Sequence, residues 1–173
     1  MPQKLTTAIV LTCCCALAIV LYSCAKKAAT GTDRDLYNMA RDTAGYTWYR
    51  HSDSLLPKSA NSAHSFPLIK TRFNVDASSR LDPVTGKVKT NAHFPEGSLI
   101  VKEMCDKEGK TRIYTTLWKN TQSKDADENG WVWNAVTADG LVEISAVKKG
   151  KDCASCHQQE GNLDNVLMNK YFP

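Results

Sequence analysis

The sequence predicts an α+β fold, predominantly antiparallel β-sheet, with a helix before the sheet and a helical segment after it. Three observations carry this. Between Thr32 and Gly45 apolar residues recur at helical spacing; between Leu68 and Val147 they alternate with a period of two between turn-forming clusters; after Gly150 the strand pattern stops. With 173 residues, 42% of them hydrophobic, the chain is long enough to build one domain around a core. Its formal charge of +4, from 22 Lys and Arg against 18 Asp and Glu, is too mild to argue for nucleic acid as a partner.

The N-terminus is separate from this domain. Lys4 precedes an apolar run from Leu5 to Tyr22, and Leu21-Tyr22-Ser23-Cys24 closes it, the layout of a bacterial lipoprotein signal. Residues 1–23 are then the leader, Cys24 the acylated first residue, and 24–32 a flexible, disordered tether carrying Lys26 and Lys27. An uncleaved transmembrane anchor is the alternative, since the apolar run is just long enough to span. Either way the folded part, 33–173, is expected to be exported, periplasmic or on the outer surface, and held on a membrane.

Thr32 with Asp35 resembles a capping box, and Leu36, Met39, Ala40 and Thr43 then share one helical face up to Gly45. Tyr46, Trp48 and Tyr49 follow and are expected to pack that helix on the sheet. Ser52 to Ser65, interrupted by Pro57, reads as loop with at most one short helix. From Leu68 the texture becomes strand-like, with Ile69, Thr71, Phe73 and Val75 on one face. Asp82-Pro83-Val84-Thr85-Gly86 and Pro95-Glu96-Gly97 are turns. A strand from Ser98 to Met104, a loop over 106–110 and a strand from Thr111 to Lys119 form one hairpin; Gly130–Val136, the turn Ala138-Asp139-Gly140 and Leu141–Val147 form another.

The chemistry sits in Cys153-Ala154-Ser155-Cys156-His157. Cys-x-x-Cys-His is the spacing of covalent haem attachment: on a helical turn residues three apart share a face, so both sulfurs reach one porphyrin, and His157 becomes the proximal iron ligand. Two other readings compete. A zinc site would need further ligands, and only Cys105 and the scattered His51, His64 and His93 are on offer. A thioredoxin-like pair would sit in a βαβ context that is absent here. One covalent haem c is therefore expected. Export agrees with it, and the cysteines are then accounted for: Cys13, Cys14 and Cys15 leave with the leader, Cys24 carries lipid, and Cys105 is left over without a disulfide partner. Helical cytochromes place the motif at the start of a helical domain or at the end of a four-helix bundle, and neither pattern is present.

His93-Phe94-Pro95-Glu96-Gly97-Ser98-Leu99-Ile100-Val101-Lys102-Glu103, Gly130-Trp131-Val132-Trp133, the haem motif, Asp164-Asn165-Val166 and Tyr171-Phe172-Pro173 resemble, in order, the cytochrome P-460 family, which includes the cytochromes c′-β. The resemblance covers roughly Ser65 to Pro173. It implies a haem in a β-sheet domain, often a homodimer. It also implies one of two chemistries. Cytochromes P-460 oxidise hydroxylamine and bond a lysine to the porphyrin; cytochromes c′-β lack that bond and bind nitric oxide or carbon monoxide at an apolar distal side. Lys102 is the leading lysine for a place near the haem, although a strand lysine facing solvent or paired with an acid is the ordinary reading; Lys70, Lys87 and Lys89 stay open. An oxidase would also need a proton-moving acid or base, for which Lys102, Glu103 and Glu128, and beyond them Glu96 and Glu143, are candidates.

The sixth iron position separates three functions. An open, apolar site, with Phe73, Phe94, Trp131 and Trp133 as wall residues, makes a gas-ligand or redox haem protein that binds a small nitrogen oxide. A second protein ligand, from Met104, Met168 or His93, makes an electron carrier with a redox partner protein. A lysine bond with a distal acid makes a hydroxylamine-oxidising enzyme. The order of preference is as given.

Overall fold

The computed structural model describes residues 26–60 and 62–173; the expected leader and Cys24 lie outside them. Among the described residues the body is one antiparallel sheet of seven strands, β1 (Thr47–Trp48), β2 (Leu56–Pro57), β3 (Leu68–Phe73), β4 (Leu99–Cys105), β5 (Thr111–Lys119), β6 (Trp131–Thr137) and β7 (Val142–Ile144). Their spatial order is β1-β3-β4-β5-β6-β7, with β2 also paired to β3. Four helices accompany the sheet: α1 (Gly31–Arg41), α2 (Val75–Ser78), α3 (Ala154–His157) and α4 (Met168–Tyr171). The α+β, sheet-dominated architecture is the one the sequence pattern predicts, and both hairpins form where turn chemistry places them.

The alternation of side chains gives the sheet two different faces. On one, Leu99, Val101 and Val132 bury against Leu36 and Ala40 of α1. On the other, Ile69, Thr71, Ile100, Lys102, Met104, Thr115, Leu117, Trp133 and Ala135 face a cavity closed by the C-terminal segment.

The α1-side face holds a buried ion pair. Arg72 is completely buried; it pairs with Glu103, donates to the Ala40 carbonyl at the end of α1, and lies between the rings of Tyr46 and Trp48 at 5.2 and 5.3 Å. Tyr46 and Trp48 thus pack at the helix–sheet junction, as their place after the helix suggests. Tyr49 goes the other way into the core, its hydroxyl donating to the Phe172 carbonyl at 2.9 Å.

Four local expectations are corrected. The capping box does not form: α1 starts at Gly31, Thr32 Oγ1 donates to Asp125 instead, and Asp33 accepts from Ser145 Oγ and the Ala146 amide. Tertiary partners offer these oxygens a better match than the helix's own first turn. Val75 leaves the strand, because Asn74 caps α2 by accepting from the Ala77 amide and Val75 is left 73% exposed. The loop before β3 contains β2, a two-residue edge strand whose Pro57 sits where an edge tolerates it. Finally, the described part of the tether is ordered on the sheet: Ala28 bridges Leu141, Val142 donates to the Lys27 carbonyl at 2.9 Å, and Lys26 pairs with Glu143.

Breaking a buried ion pair leaves an uncompensated charge, whereas replacing both members by apolar groups does not. Arg72→Met should cost on the order of 3 kcal/mol, and Arg72→Met combined with Glu103→Leu should cost less than the single change; urea unfolding of both variants measures the difference.

Candidate functional site

The cavity encloses about 340 Å³ between the sheet and residues 152–172. Cys153, Cys156 and His157 stand on its rim at one side. A single helical turn, α3, carries Cys156 and His157, with Cys153 at its N-cap.

His157 is held from two directions. Its Nδ1–H donates to the Asn165 carbonyl at 2.8 Å, which leaves Nε2 with the lone pair. Its ring meets the edge of Trp133 at 5.1 Å and 81°. Burial, and after it the charge of Lys102, push its pKa down to about 4 against the opposing effect of the Asn165 bond, so the imidazole is neutral at pH 7. The carbonyl that fixes the tautomer comes from an unusual turn. Leu163 and Val166 exchange backbone hydrogen bonds of 2.9 and 3.0 Å, and between them Asp164 and Asn165 have φ of 50° and 67°. Two consecutive positive φ values are the signature of a type I′ turn, which Asp and Asn tolerate better than other side chains.

The two tryptophans of Gly130-Trp131-Val132-Trp133 are each tied to a carboxylate. Trp133 Nε1 donates to Asp127 at 2.8 Å, and Trp131 Nε1 donates to Asp164 at 3.0 Å, which also accepts from the Phe94 amide. Gly150 lies against the other side of Trp133. Its φ is +71°, and a Cβ there would stand 2.6 Å from the indole. Glycine is therefore required twice over, by conformation and by closeness.

Lys102 departs from its ordinary reading. It projects from β4 into the cavity rather than into solvent, and among the described residues no carboxylate lies within ion-pair distance of it. Its Nζ lies 3.3 Å from His64 Nε2. Burial lowers its pKa to about 8, which leaves it mostly an ammonium at pH 7. His64 is pushed down to about 3, by burial first and then by the charge of Lys102. Cys153 is raised to about 11, chiefly by burial.

Other residues singled out from sequence are placed elsewhere. Glu103 is on the opposite face, paired with Arg72 and Lys70, because neighbours along a strand point to opposite sides. Glu128 is exposed in the loop before β6, and Glu96 accepts from the Thr121 amide. Glu143 is at the cavity rim and is paired with Lys26. Phe73, Phe94 and Trp131 form an aromatic layer beside the cavity rather than its wall; Phe94 stacks on Phe73 at 6.3 Å and meets Trp131 edge-on at 5.9 Å. Of the four aromatic wall candidates, Trp133 lines the cavity. Met104 and Met168 line it too, with Thr71 Oγ1 donating to the Met168 sulfur at 3.5 Å, while His93 is exposed outside it. Lys70, Lys87 and Lys89 do not reach it. His64 does, and nothing in its local sequence marks it: only the β2–β3 loop geometry brings it in.

The model of the cytochrome P460 family matches residues 82–168, half of the chain. The chain belongs to the cytochrome P460 family. No curated protein matches it. The family match begins at the turn after α2, so α1 and β1–β3 lie outside it. Membership makes this a haem protein, and the donor set fits a haem: two thiols and a neutral imidazole on one turn, the imidazole Nε2 unengaged, beside a cavity with an apolar floor.

Gly150→Ala should force Trp133 and the haem-motif turn apart. We expect a loss of more than about 1 kcal/mol in urea unfolding and a changed near-ultraviolet tryptophan signal, whereas Gly140→Ala, where the nearest atom is 3.5 Å away, should leave that signal unchanged.

Proposed function

We propose that this P460 protein carries one haem c, bonded through Cys153 and Cys156 and ligated by His157, and that it binds a small ligand such as nitric oxide, or performs redox chemistry, at the other side of the iron. The observation that carries the reading is the Nδ1–H bond of His157 to Asn165, which points the basic Nε2 of a neutral imidazole away from the backbone on the same turn as two thiols. The haem supplies the iron at which the ligand exchanges. The chain supplies its fixed orientation, apolar contacts from Ile69, Ile100 and Leu117 on the sheet, and a cover on one side from Leu167, Met168, Tyr171 and Phe172.

A second reading is favoured by Lys102. An amine inside the cavity, without a carboxylate partner among the described residues and with a lowered pKa, is the group a lysine–porphyrin bond requires, and with it comes hydroxylamine oxidation. Glu143 and Asp152, which line the cavity, are then the carboxylates on offer for proton movement. The electron-carrier reading rests on Met104, which lines the cavity, since His93 is outside it and the Met168 sulfur accepts from Thr71. Export, acylation of Cys24, a redox partner and a homodimer accompany the proposal as expectations about the whole chain.

Expression with haem-attachment machinery tests the proposal. Haem should remain with the denatured protein and be absent from Cys153→Ala combined with Cys156→Ala; haem retained covalently by that variant refutes the attachment. Ferrous protein should show a high-spin band that shifts with carbon monoxide. Mass spectrometry of the Lys102 peptide decides the second reading, because a lysine–porphyrin bond leaves that peptide haem-linked.

A further inference from the structure

A side chain that the haem motif does not use lies in the same cavity, on a different element. His64 belongs to the loop between β2 and β3, and that loop is built. Lys58 Nζ donates to the His64 carbonyl at 2.6 Å, the Lys58 amide donates to the Pro67 carbonyl at 2.8 Å, and the His64 amide donates to Ser62 Oγ at 3.3 Å. The loop therefore holds His64 over the β3 side of the sheet, while Trp133 holds His157 over β6. In the strand order β3-β4-β5-β6, Lys102 rises from β4 between the two imidazoles.

The contact between His64 and Lys102 has a fixed sense. An ammonium has donors and no acceptor, so Nζ donates to His64 Nε2, and the imidazole proton sits on Nδ1. One of the three N–H bonds of Lys102 is thereby engaged by His64, and two remain. No carboxylate competes for them among the described residues.

We propose that Lys102 is a hydrogen-bond donor on the side of the cavity facing His157, that His64 positions its ammonium by accepting one N–H, and that the two N–H groups left over recognise small hydrogen-bond-accepting anions bound there. The inference rests on the first reading above, a haem ligated by His157 with an exchangeable opposite side. It makes the sheet floor of the cavity mixed in chemistry, apolar at Ile69, Ile100 and Leu117 and cationic at Lys102. An anion gains from a charge-assisted hydrogen bond in such a site, whereas carbon monoxide, a poor acceptor, gains little.

Fluoride binding to the ferric haem-loaded protein and carbon monoxide binding to the ferrous protein test it together. His64→Leu removes the acceptor that holds Nζ and should weaken fluoride by about tenfold or more, with carbon monoxide affinity changed by less than about threefold. His64→Gln keeps an acceptor and should retain fluoride affinity within about threefold of the parent; a merely space-filling role for His64 would let the Leu variant retain it as well. Lys102→Met should lose fluoride affinity at least as much as His64→Leu. Equal fluoride affinity in the parent and His64→Leu overturns the proposal. So does a low-spin parent spectrum that becomes high-spin in His64→Leu, since His64 would then be an iron ligand, and so does a haem-linked Lys102 peptide, since no ammonium would remain. Failure of the underlying reading looks different: the parent carries no haem, or binds neither probe, and the proposal falls with it.

Discussion

The buried pairing of Arg72 with Glu103 is the constraint on which the site depends. Both charges are on the α1 side of the sheet, and neither is stable in an apolar interior without the other. Because strand side chains alternate, a shift of β3 or β4 by one residue would carry Arg72 or Glu103 to the cavity and separate them. The same alternation then requires that Lys102, one residue before Glu103, faces the cavity, and that Thr71, one residue before Arg72, stands beside it. A pair on the far face of the sheet thus fixes which cation enters the cavity.

The haem-motif side is supported by a chain of contacts that starts far from the iron site in sequence. Asp127 orients Trp133, Gly150 lets the backbone lie flat on that indole, Trp133 meets His157, and the Asp164-Asn165 turn gives His157 its carbonyl partner. Each member has a packed or hydrogen-bonded neighbour, so the imidazole direction is set before any cofactor arrives. The positive φ values at Asp164 and Asn165 belong to this arrangement, because a turn of the ordinary hand would direct the Asn165 carbonyl elsewhere.

What was legible in the sequence was whatever depends on local order. The haem motif is five consecutive residues, the two hairpins carry their own turn chemistry, and the helix shows its apolar face. The sheet-dominated fold followed from these. The contents of the cavity were less legible, because they depend on pairings across the chain. Glu103 and Lys102 are adjacent, and only the register of β4 against β3 tells which one points inward. His64 sits in a polar loop whose path is set by Lys58 and by β2, a strand too short to leave a periodic trace. Phe94 and Trp131 are aromatic and close to the motif residues in the fold, yet they pack one layer away, against Phe73. Thr32 and Asp35 satisfy a capping pattern on paper, but Thr32 pairs with Asp125 and the neighbouring Asp33 accepts from Ser145 and Ala146, partners that no local pattern could announce.

The run from Lys26 to Ala29 has a further effect. Lys27 accepts from Val142, Ala28 bridges Leu141, and Ala29 donates to Gly140, so the outer edge of β7 is already occupied where β7 begins. At the other end of the sheet, β1 and β2 cover β3. Both borders are thereby blunted against strand addition. Among the described residues, neither border of the sheet offers another chain a long free edge to pair with.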